Sequence, residues 1–287
     1  MVNVSYSLEG SNGDVITFNT NDYTDYVLNA GMTGFGIPPT SVRIEESAGD
    51  GGVWRHTKRQ PRDVDLPITV FGTDRGDVQE KLRRLGTLLR DADGPPKLRA
   101  TYADSTSVFL EVHYVGGGET NYDNNSSGLT WAGWTLSLRA PNPFWLSGIQ
   151  ETFAIGSGGS GRGLLPQLTK MKVSSSSTLG VVTVINAGDV ATFPVWAITG
   201  PVSNIVITNG TQSFGFAQIF SGEVITVDTE TGTVVNADGA NQYARLNPVP
   251  KLFTLPPGTT GINVSGIDTD LNFNVNLTYS PRYEVIH

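Results

Sequence analysis

The chain has 287 residues, of which 38% are hydrophobic, so it can fold as one or two domains with buried cores. It contains no cysteine, which excludes disulfide bonds, thiolate metal sites and cysteine nucleophiles. Its formal net charge of −8 argues against sequence-independent binding to nucleic acid. The N-terminal sequence MVNVSYSLEG has no signal-peptide pattern, and no apolar run approaches the ~20 residues of a membrane helix. We therefore expect neither a signal peptide nor membrane insertion.

The segment from Asp63 to Val70 is the clearest strand of the first half. Its apolar side chains recur at every second position, as in a strand with one buried face. They are Val64, Leu66, Ile68 and Val70. Pro67 has no N–H to donate, which predicts an edge or a bulge on one side of this strand.

Residues 74–91 are predicted to form the one helix of the chain. Four apolar residues follow one another at intervals of four, three and four positions, which places them on one helical stripe. They are Val78, Leu82, Leu85 and Leu89. Thr73 or Asp74 can cap the start, and the sequence GPP at 94–96 ends the helix. The opposite face is basic, and it either faces solvent or docks a neighbouring subunit.

The second half of the chain is poorer in charge than the first. Residues 1–147 carry 13 Lys and Arg with 18 Asp and Glu, whereas residues 148–287 carry 6 and 9. Short alternating segments joined by tight turns predict a β-sandwich or jelly roll here, with Leu271–Tyr279 as the clearest strand. The glycine-rich sequence GSGGSGRG at 156–163 predicts a linker or loop. We expect a mainly β chain with domains at 1–147 and 148–287.

No motif of the sequence indicates a catalytic residue, a metal site or a cofactor. The glycine spacing within 156–163 copies a dinucleotide fingerprint, but no helical pattern follows it. Asp268, Asp270 and Asn272 copy the start of a calcium-binding loop that then lacks its glycine and glutamate. The three histidines have no metal-ligand spacing. We expect a protein that is not an enzyme, with glycoside hydrolysis by a carboxylate pair left open as a third hypothesis.

A dense basic run at 55–62 is the strongest candidate for a subunit contact. It either binds a partner or protects the edge of a strand that it enters as a loop. The candidate interface residues are the cations of this run, two acidic residues that complement them and two helix arginines: Arg55, Lys58, Arg59, Arg62, Glu45, Glu46, Arg83 and Arg84. Reversing the charge of Arg59 and Arg62 is expected to weaken assembly.

Four stretches, in this order, resemble the distal tail proteins of siphophages, the long, flexible-tailed bacteriophages. They read RQPRDVDLPITVFGTDRGDVQEKLRRLGTLL, WTLSLRAPNPFW, NAGDVATFPVWAITGPVSNIVITN, and VITVDTETGTVV with LPPGTTGINV. The resemblance implies an N-terminal β domain of sandwich or split-barrel type that bears one helix, followed by a galectin-like β-sandwich.

The resemblance also implies a function in the virion. Members of this family form a hexameric ring around the DNA channel at the tail tip or baseplate. That ring joins the tail-tube protein to the tail-tip proteins, which are tail-associated lysins or fibres. We therefore expect a minor structural protein of the phage tail, made in the cytoplasm of the host bacterium. Because a channel that passes DNA must not hold it, its walls are expected to be acidic or neutral.

The second hypothesis is a glycan-binding module or adhesin that uses the C-terminal sandwich. Sugar sites combine exposed aromatic rings with polar loop residues, and four aromatic residues of the second half are candidates for them: Trp196, Phe214, Phe216 and Tyr243. Trp196 lies in an apolar strand, which favours core packing for this residue. Binding of glycans by the isolated second domain would distinguish the two hypotheses.

Overall fold

A computed structural model of the chain describes residues 4–19, 24–90, 94–119, 127–155, 178–270 and 272–286. The prediction of a mainly β fold is confirmed: antiparallel sheets make up most of these residues. The chain forms two compact units, Met1–Ile149 with Tyr283–His287 as unit 1 and Gln150–Arg282 as unit 2. Residues 283–287, which the sequence-based division assigned to the second domain, thus group with the first. They do so because Tyr283 and Ile286 pack against the core of unit 1.

The regular elements have the following bounds. The strands and the helix up to residue 147 are β1 (Ser5–Glu9), β2 (Val15–Phe18), β3 (Tyr26–Leu28), β4 (Thr40–Glu46), β5 (Gly52–Arg59), β6 (Arg62–Phe71), α1 (Arg75–Leu88), β7 (Lys97–Thr101), β8 (Ser107–Glu111), β9 (His113–Gly117), β10 (Trp131–Ala140) and β11 (Trp145–Ser147). The later strands are β12 (Glu151–Ile155), β13 (Thr178–Asn186), β14 (Val195–Thr199), β15 (Val202–Thr208), β16 (Ser213–Ile219), β17 (Val224–Asp228), β18 (Thr233–Asn236), β19 (Gly258–Ile267), β20 (Asn274–Tyr279) and β21 (Arg282–Tyr283).

Unit 1 is built around one core that two sheets and α1 enclose. The sheets have the strand orders β2-β1-β7-β8-β11-β21 and β3-β6-β10-β9. The apolar residues predicted to face inward from β6 are fully buried, which confirms the period-two pattern. The pairing of β6 with the short strand β3 runs from Val70 to Ile68 and stops before Pro67. The N–H that Pro67 lacks is therefore not needed for the ladder between these two strands. This is the local edge that the proline predicted.

Helix α1 follows the apolar stripe seen in the sequence, and it is shorter than predicted. The Asp74 carboxylate accepts a hydrogen bond from the Asp77 N–H at 2.9 Å, and the Asp77 carboxylate accepts one from the Thr73 N–H at 2.8 Å. These reciprocal bonds satisfy backbone donors that a helix start leaves without partners. The helix ends at Leu88, three residues before the predicted end, and Leu89 forms its C-cap.

Unit 2 is a β-sandwich of two antiparallel sheets. Their strand orders are β12-β20-β14-β17-β18 and β13-β19-β15-β16, and side chains from both sheets form one apolar core. The alternation predicted for 271–279 is present from Phe273 onward, with β20 beginning at Asn274; Leu271 lies outside the described residues. A short 3-10 helix, Tyr243–Arg245, occurs where only strands were predicted. The predicted linker at 156–163 also lies outside the described residues.

Candidate interaction surface

The hairpin of β4 and β5 is the most exposed regular element of unit 1. Its strands form a two-stranded sheet of their own, and every residue except Arg59 is exposed. Eight residues of strand at ~3.3 Å each make an arm about 25 Å long. A two-stranded hairpin alone is marginally stable in water, and stability normally requires a third strand or a packed face. This arm therefore has the properties of an element that packs against a partner.

One face of the hairpin is apolar. Val42, Ile44 and Trp54 are 52%, 61% and 62% exposed. Ile44 is the cross-strand partner of Trp54, and Val42 lies two positions before Ile44 on the same face. The Trp54 indole N–H donates to the Thr57 hydroxyl at 3.0 Å, so the polar atom of the ring has a partner. The exposed indole and the two aliphatic side chains thus form one contact face on the arm.

A β-bulge at Arg55 produces this face. Arg43 pairs with His56, and the next residue, Ile44, pairs with Trp54, which leaves Arg55 as the extra residue of β5. The extra residue brings Trp54 opposite Ile44. A bulge that redirects an aromatic side chain onto an exposed apolar face is typical of a functional surface rather than of a core strand.

The opposite face of the hairpin is charged, and its residues Arg55 and Glu45 pair with each other. The Arg55 guanidinium contacts the Glu45 carboxylate through Nε at 2.6 Å and Nη2 at 2.5 Å, and Arg43 lies 3.9 Å from the same carboxylate. From the sequence, Arg55 and Glu45 are predicted to be complementary charges of a subunit contact. In the structure these two residues already neutralise each other, so their charges do not need a neighbour.

The root of the hairpin is held by side-chain contacts. The Arg59 guanidinium donates to the Glu284 carboxylate through Nε at 3.0 Å and Nη2 at 2.5 Å, and to the Thr40 hydroxyl at 2.6 Å. The Gln60 N–H donates to the Pro39 carbonyl at 2.8 Å. Thr40 begins β4 and Arg59 ends β5, so these contacts join both strands where they leave the domain.

Arg62 is a buried structural residue, and its assignment to an interface is wrong. It is 1% exposed, and its guanidinium donates to four backbone carbonyls at 2.6–2.9 Å. The acceptors are the carbonyl oxygens of Gly34, Gly36, Pro143 and Glu284. Burial lowers the pKa of Arg62 to about 10, although the negative charge of Glu284 acts to raise it. The guanidinium therefore stays charged at neutral pH. A charged residue that satisfies four carbonyls inside unit 1 cannot contact another subunit.

The remaining interface candidates are on the surface of unit 1. Arg84 of α1 forms a two-pronged ion pair with Asp14 at 2.6 and 3.0 Å, which lowers the pKa of that carboxyl. Lys58, Glu46 and Arg83 are exposed and form no ion pair with another residue of the described ranges. The basic run, read from the sequence as a loop, is in fact strand from Gly52 through Arg59 and again from Arg62.

The outer face of the sheet β3-β6-β10-β9 is polar. The Asp63 carboxylate accepts two hydrogen bonds from Arg139 at 2.6 and 3.1 Å, which lowers the pKa of Asp63. The Asp65 carboxylate accepts from the Ser137 hydroxyl at 2.7 Å and from the Thr33 hydroxyl at 3.1 Å. These residues set two carboxylates against one guanidinium, so this face is weakly acidic and its charges are already hydrogen-bonded.

Three of the four aromatic residues proposed for glycan contact are in the core of unit 2. Trp196, Phe214 and Phe216 are at most 2% exposed, and the rings of Trp196 and Phe214 pack edge to face at 5.7 Å. Buried rings present no face to a sugar, so these three assignments are wrong. Tyr243 is 48% exposed and is the one candidate of the four on the surface.

Two of the residues that copy the start of a calcium-binding loop, Asp270 and Asn272, hydrogen-bond to each other. Asp270 accepts hydrogen bonds from the backbone N–H and the side-chain amide of Asn272 at 2.7 and 3.2 Å, which is the pattern of an Asx turn. Within the described ranges, three or more His, Asp or Glu side chains are nowhere grouped so as to hold a metal ion. The helical segments of those ranges are too short or too polar to cross a membrane.

Sequence reasoning missed the apolar face and the partner of Arg59. Val42 and Ile44 alternate with polar residues, and Val53-Trp54 is an apolar pair before the basic run. This alternation indicates a strand pair with one apolar face. No local pattern could indicate that Glu284 would lie beside Arg59, because the two residues are 225 positions apart.

Comparisons with known proteins bear on the whole chain. Residues 187–283 match the family model described as Siphovirus-type tail component, C-terminal domain. Among solved structures, the chain is similar to the Dit protein (gp 19.1) of phage SPP1, with 14% identity and a TM-score of 0.66, over 96% of this chain and 98% of that one. It is also similar to chains of the activated phage P2 baseplate with Ca, at 9% identity and a TM-score of 0.57, and with Sr, at 8% and 0.55, each over 99% of both chains. No curated protein sequence matches.

These matches confirm the resemblance to distal tail proteins. The structural likeness shows that the chain has the fold of the Dit protein over 96% of its length. The family match shows that residues 187–283 are similar to the C-terminal domain of siphovirus-type tail components.

Proposed function

We propose that this chain is a distal tail protein and a structural subunit of a siphophage tail tip. In the proposal, copies of unit 1 close into a hexameric ring around the DNA channel. The likeness to a protein described as a hub of the adsorption apparatus and to baseplate chains supports a role at the tip. The observation that carries the self-assembly is the exposed apolar face of the β4–β5 hairpin.

The proposed occupant of that face is a second copy of the chain. A cyclic ring uses two different patches on each subunit, one of which meets the other on the neighbour. The hairpin is suited to be one of these patches because it is about 25 Å long. Its apolar face also contains the exposed side chain of Trp54. Tryptophan is among the residues that carry most binding energy in protein interfaces. In the proposal, the opposite face, with the Arg55–Glu45 pair and Lys58, remains in contact with water.

The outer face of the sheet β3-β6-β10-β9 is our candidate for the channel wall. DNA binds tightly where free cations neutralise several phosphates. Among the described residues of this face, the guanidinium of Arg139 is already held by Asp63, and Asp65 adds a further negative charge. A ring with this face inward would pass DNA without retaining it. A ring whose lumen is lined mainly by Lys and Arg would contradict this assignment.

The ring is proposed to join the tail-tube protein on one side and the tail-tip proteins on the other. The subunit would accordingly be located in the virion and be made in the host cytoplasm. The absence of catalytic activity stays a prediction. Co-sedimentation of the purified chain with the tail-tube protein of the same phage would test the first of these contacts.

The experiment for self-assembly compares two serine substitutions on the same hairpin. Trp54→Ser removes the centre of the apolar face, and Val53→Ser removes a side chain of similar exposure, 51%, from the opposite face. Sedimentation velocity should give a ring for the wild type and for Val53→Ser, and a monomer for Trp54→Ser. Equal behaviour of the two variants, or a wild type that stays monomeric up to its solubility limit, would contradict the proposal.

A further inference from the structure

Residues 283–286 belong to unit 1 although the chain reaches them only after unit 2. Tyr283 and Ile286 pack against the core of unit 1. The carbonyl of Glu284 accepts a hydrogen bond at 2.7 Å from the buried guanidinium of Arg62, the first residue of β6. This short segment is therefore fixed on both sides of Glu284 by the body of the domain.

The side chain of Glu284 faces the hairpin root. Its carboxylate accepts two hydrogen bonds from Arg59, the last residue of β5, and Arg59 in turn donates to the hydroxyl of Thr40, the first residue of β4. One glutamate thus connects the two strands of the arm to a segment that is anchored in the core. The arginine is 36% exposed and the glutamate 25%, so the pair is partly shielded from water.

Within the described part of unit 1, no further strand joins the hairpin sheet. The direction of such an arm is set at its root rather than along its length. Two N–H groups of Arg59 donate to one oxygen of Glu284, Oε1, and charge-assisted hydrogen bonds of this kind are shorter and stronger than neutral ones. Glu284 is therefore in the place where a single side chain can set the direction of an arm about 25 Å long.

We propose that residues 283–286 act as a strap that fixes the direction of the β4–β5 hairpin through the contact of Glu284 with Arg59. The inference rests on the proposed function in one respect: a docking arm benefits from being held in its bound direction. An arm that is already oriented loses less conformational freedom on docking, which raises affinity without any new contact. The strap would also make the docking arm depend on a segment that follows the second unit in the chain.

The test measures the direction of the arm in the full chain. Because the chain has no cysteine, spin labels can be placed at two introduced cysteines, Asp50→Cys near the hairpin tip and Glu111→Cys at the exposed end of β8. The label–label distance is recorded below the concentration at which copies associate. Glu284→Gln removes the charge of the strap but leaves the backbone carbonyl that Arg62 needs. Glu80→Gln, on the exposed face of α1, is the matched control.

We expect one dominant distance in the wild type and in Glu80→Gln. In Glu284→Gln, the fraction of molecules with a label–label distance outside the dominant one should rise about threefold to fivefold. This is the change expected for the loss of one partly exposed ion pair. An unchanged distribution in Glu284→Gln would overturn the strap. Thr40→Val, which removes the second acceptor of Arg59, should broaden the distribution further when combined with Glu284→Gln; no further change would also count against it.

Failure of the strap and failure of the ring are distinguishable. If Glu284→Gln leaves the distance distribution unchanged while Trp54→Ser abolishes assembly, the strap is wrong and the docking role of the hairpin stands. If the distribution broadens in Glu284→Gln while Trp54→Ser assembles normally, the strap is supported and the proposed ring contact is wrong.

Discussion

The two units differ in how they use charge. Unit 1 contains the helix, the exposed hairpin and ion pairs such as Arg84–Asp14, Arg99–Glu9 and Arg139–Asp63. Unit 2, residues 150–282, has 14 charged residues, 6 Lys and Arg with 8 Asp and Glu, and contains two sheets on one apolar core. The difference teaches that the surface features suited to assembly are concentrated in the first unit, while the second has the composition of a self-sufficient sandwich.

The largest effect is expected in the core of unit 2. Trp196→Ala removes a fully buried side chain that packs against Phe214 and Phe253, and should lower the free energy of unfolding of unit 2 by about 3–5 kcal/mol. Scanning calorimetry should show the transition of one unit shifted and that of the other unchanged. Ring formation by this variant should persist at low temperature, because the docking arm is in unit 1.

Arg62→Ala is the corresponding break in unit 1. It leaves four backbone carbonyls without their donor, and should lower the free energy of unfolding of unit 1 by about 2–4 kcal/mol. Arg55→Ala, which removes an exposed arginine of the hairpin, should change the free energy of unfolding of unit 1 by less than about 0.5 kcal/mol. Similar effects of the two substitutions in chemical denaturation would show that the buried guanidinium is not structural.

Acid should weaken unit 1 more than unit 2. The ion pair with Arg84 lowers the pKa of Asp14, and that with Arg139 lowers the pKa of Asp63, both in unit 1. A carboxyl whose folded pKa is depressed stabilises the fold above its unfolded pKa, near 4, and loses that contribution as pH falls through the folded value. In unit 2, Arg245 lowers the pKa of Glu223 in the same way.

Calorimetry between pH 7 and pH 3 measures this acid effect. The free energy of unfolding of unit 1 should fall further than that of unit 2. The difference should be about 1 kcal/mol or less, because the ion pairs are partly exposed. Asp14→Asn should reduce the difference. A steeper fall of the unit 2 transition would contradict the contrast drawn between the units.

The smallest effect is expected at Glu45. This residue and Arg55 pair with each other on the charged face of the hairpin, and their side chains are 45% and 55% exposed. Glu45→Gln should cost about 0.5 kcal/mol or less and leave the mass of the assembly unchanged. Loss of assembly in sedimentation would instead restore the complementary-charge contact that the sequence suggested.

Much of the architecture could be predicted from periodicity. The alternation in β6 and β20 and the stripe of α1 gave the correct element types, because each is set by local burial on one face. The return of residues 283–287 to unit 1 depends on contacts between distant segments, such as Arg62 with the Glu284 carbonyl, and no local pattern encodes it.

The contacts of the candidate site could not be predicted from the sequence. The basic run lies partly on the hairpin that we propose as the docking arm, where charges also protect the edges of an isolated strand pair. Charge alone could not show that Arg55 has a partner in Glu45, that Arg62 is buried, or that the bulge brings Trp54 beside Ile44. Those outcomes depend on strand register, because a shift of one residue moves every side chain of a strand to the other face of the sheet.

Electron microscopy of the purified wild-type chain tests the central claim most directly. The account predicts six-fold rings in which the face formed by Val42, Ile44 and Trp54 is covered by the neighbouring copy. Particles that remain single subunits, or rings in which that face is open to solvent, would contradict it.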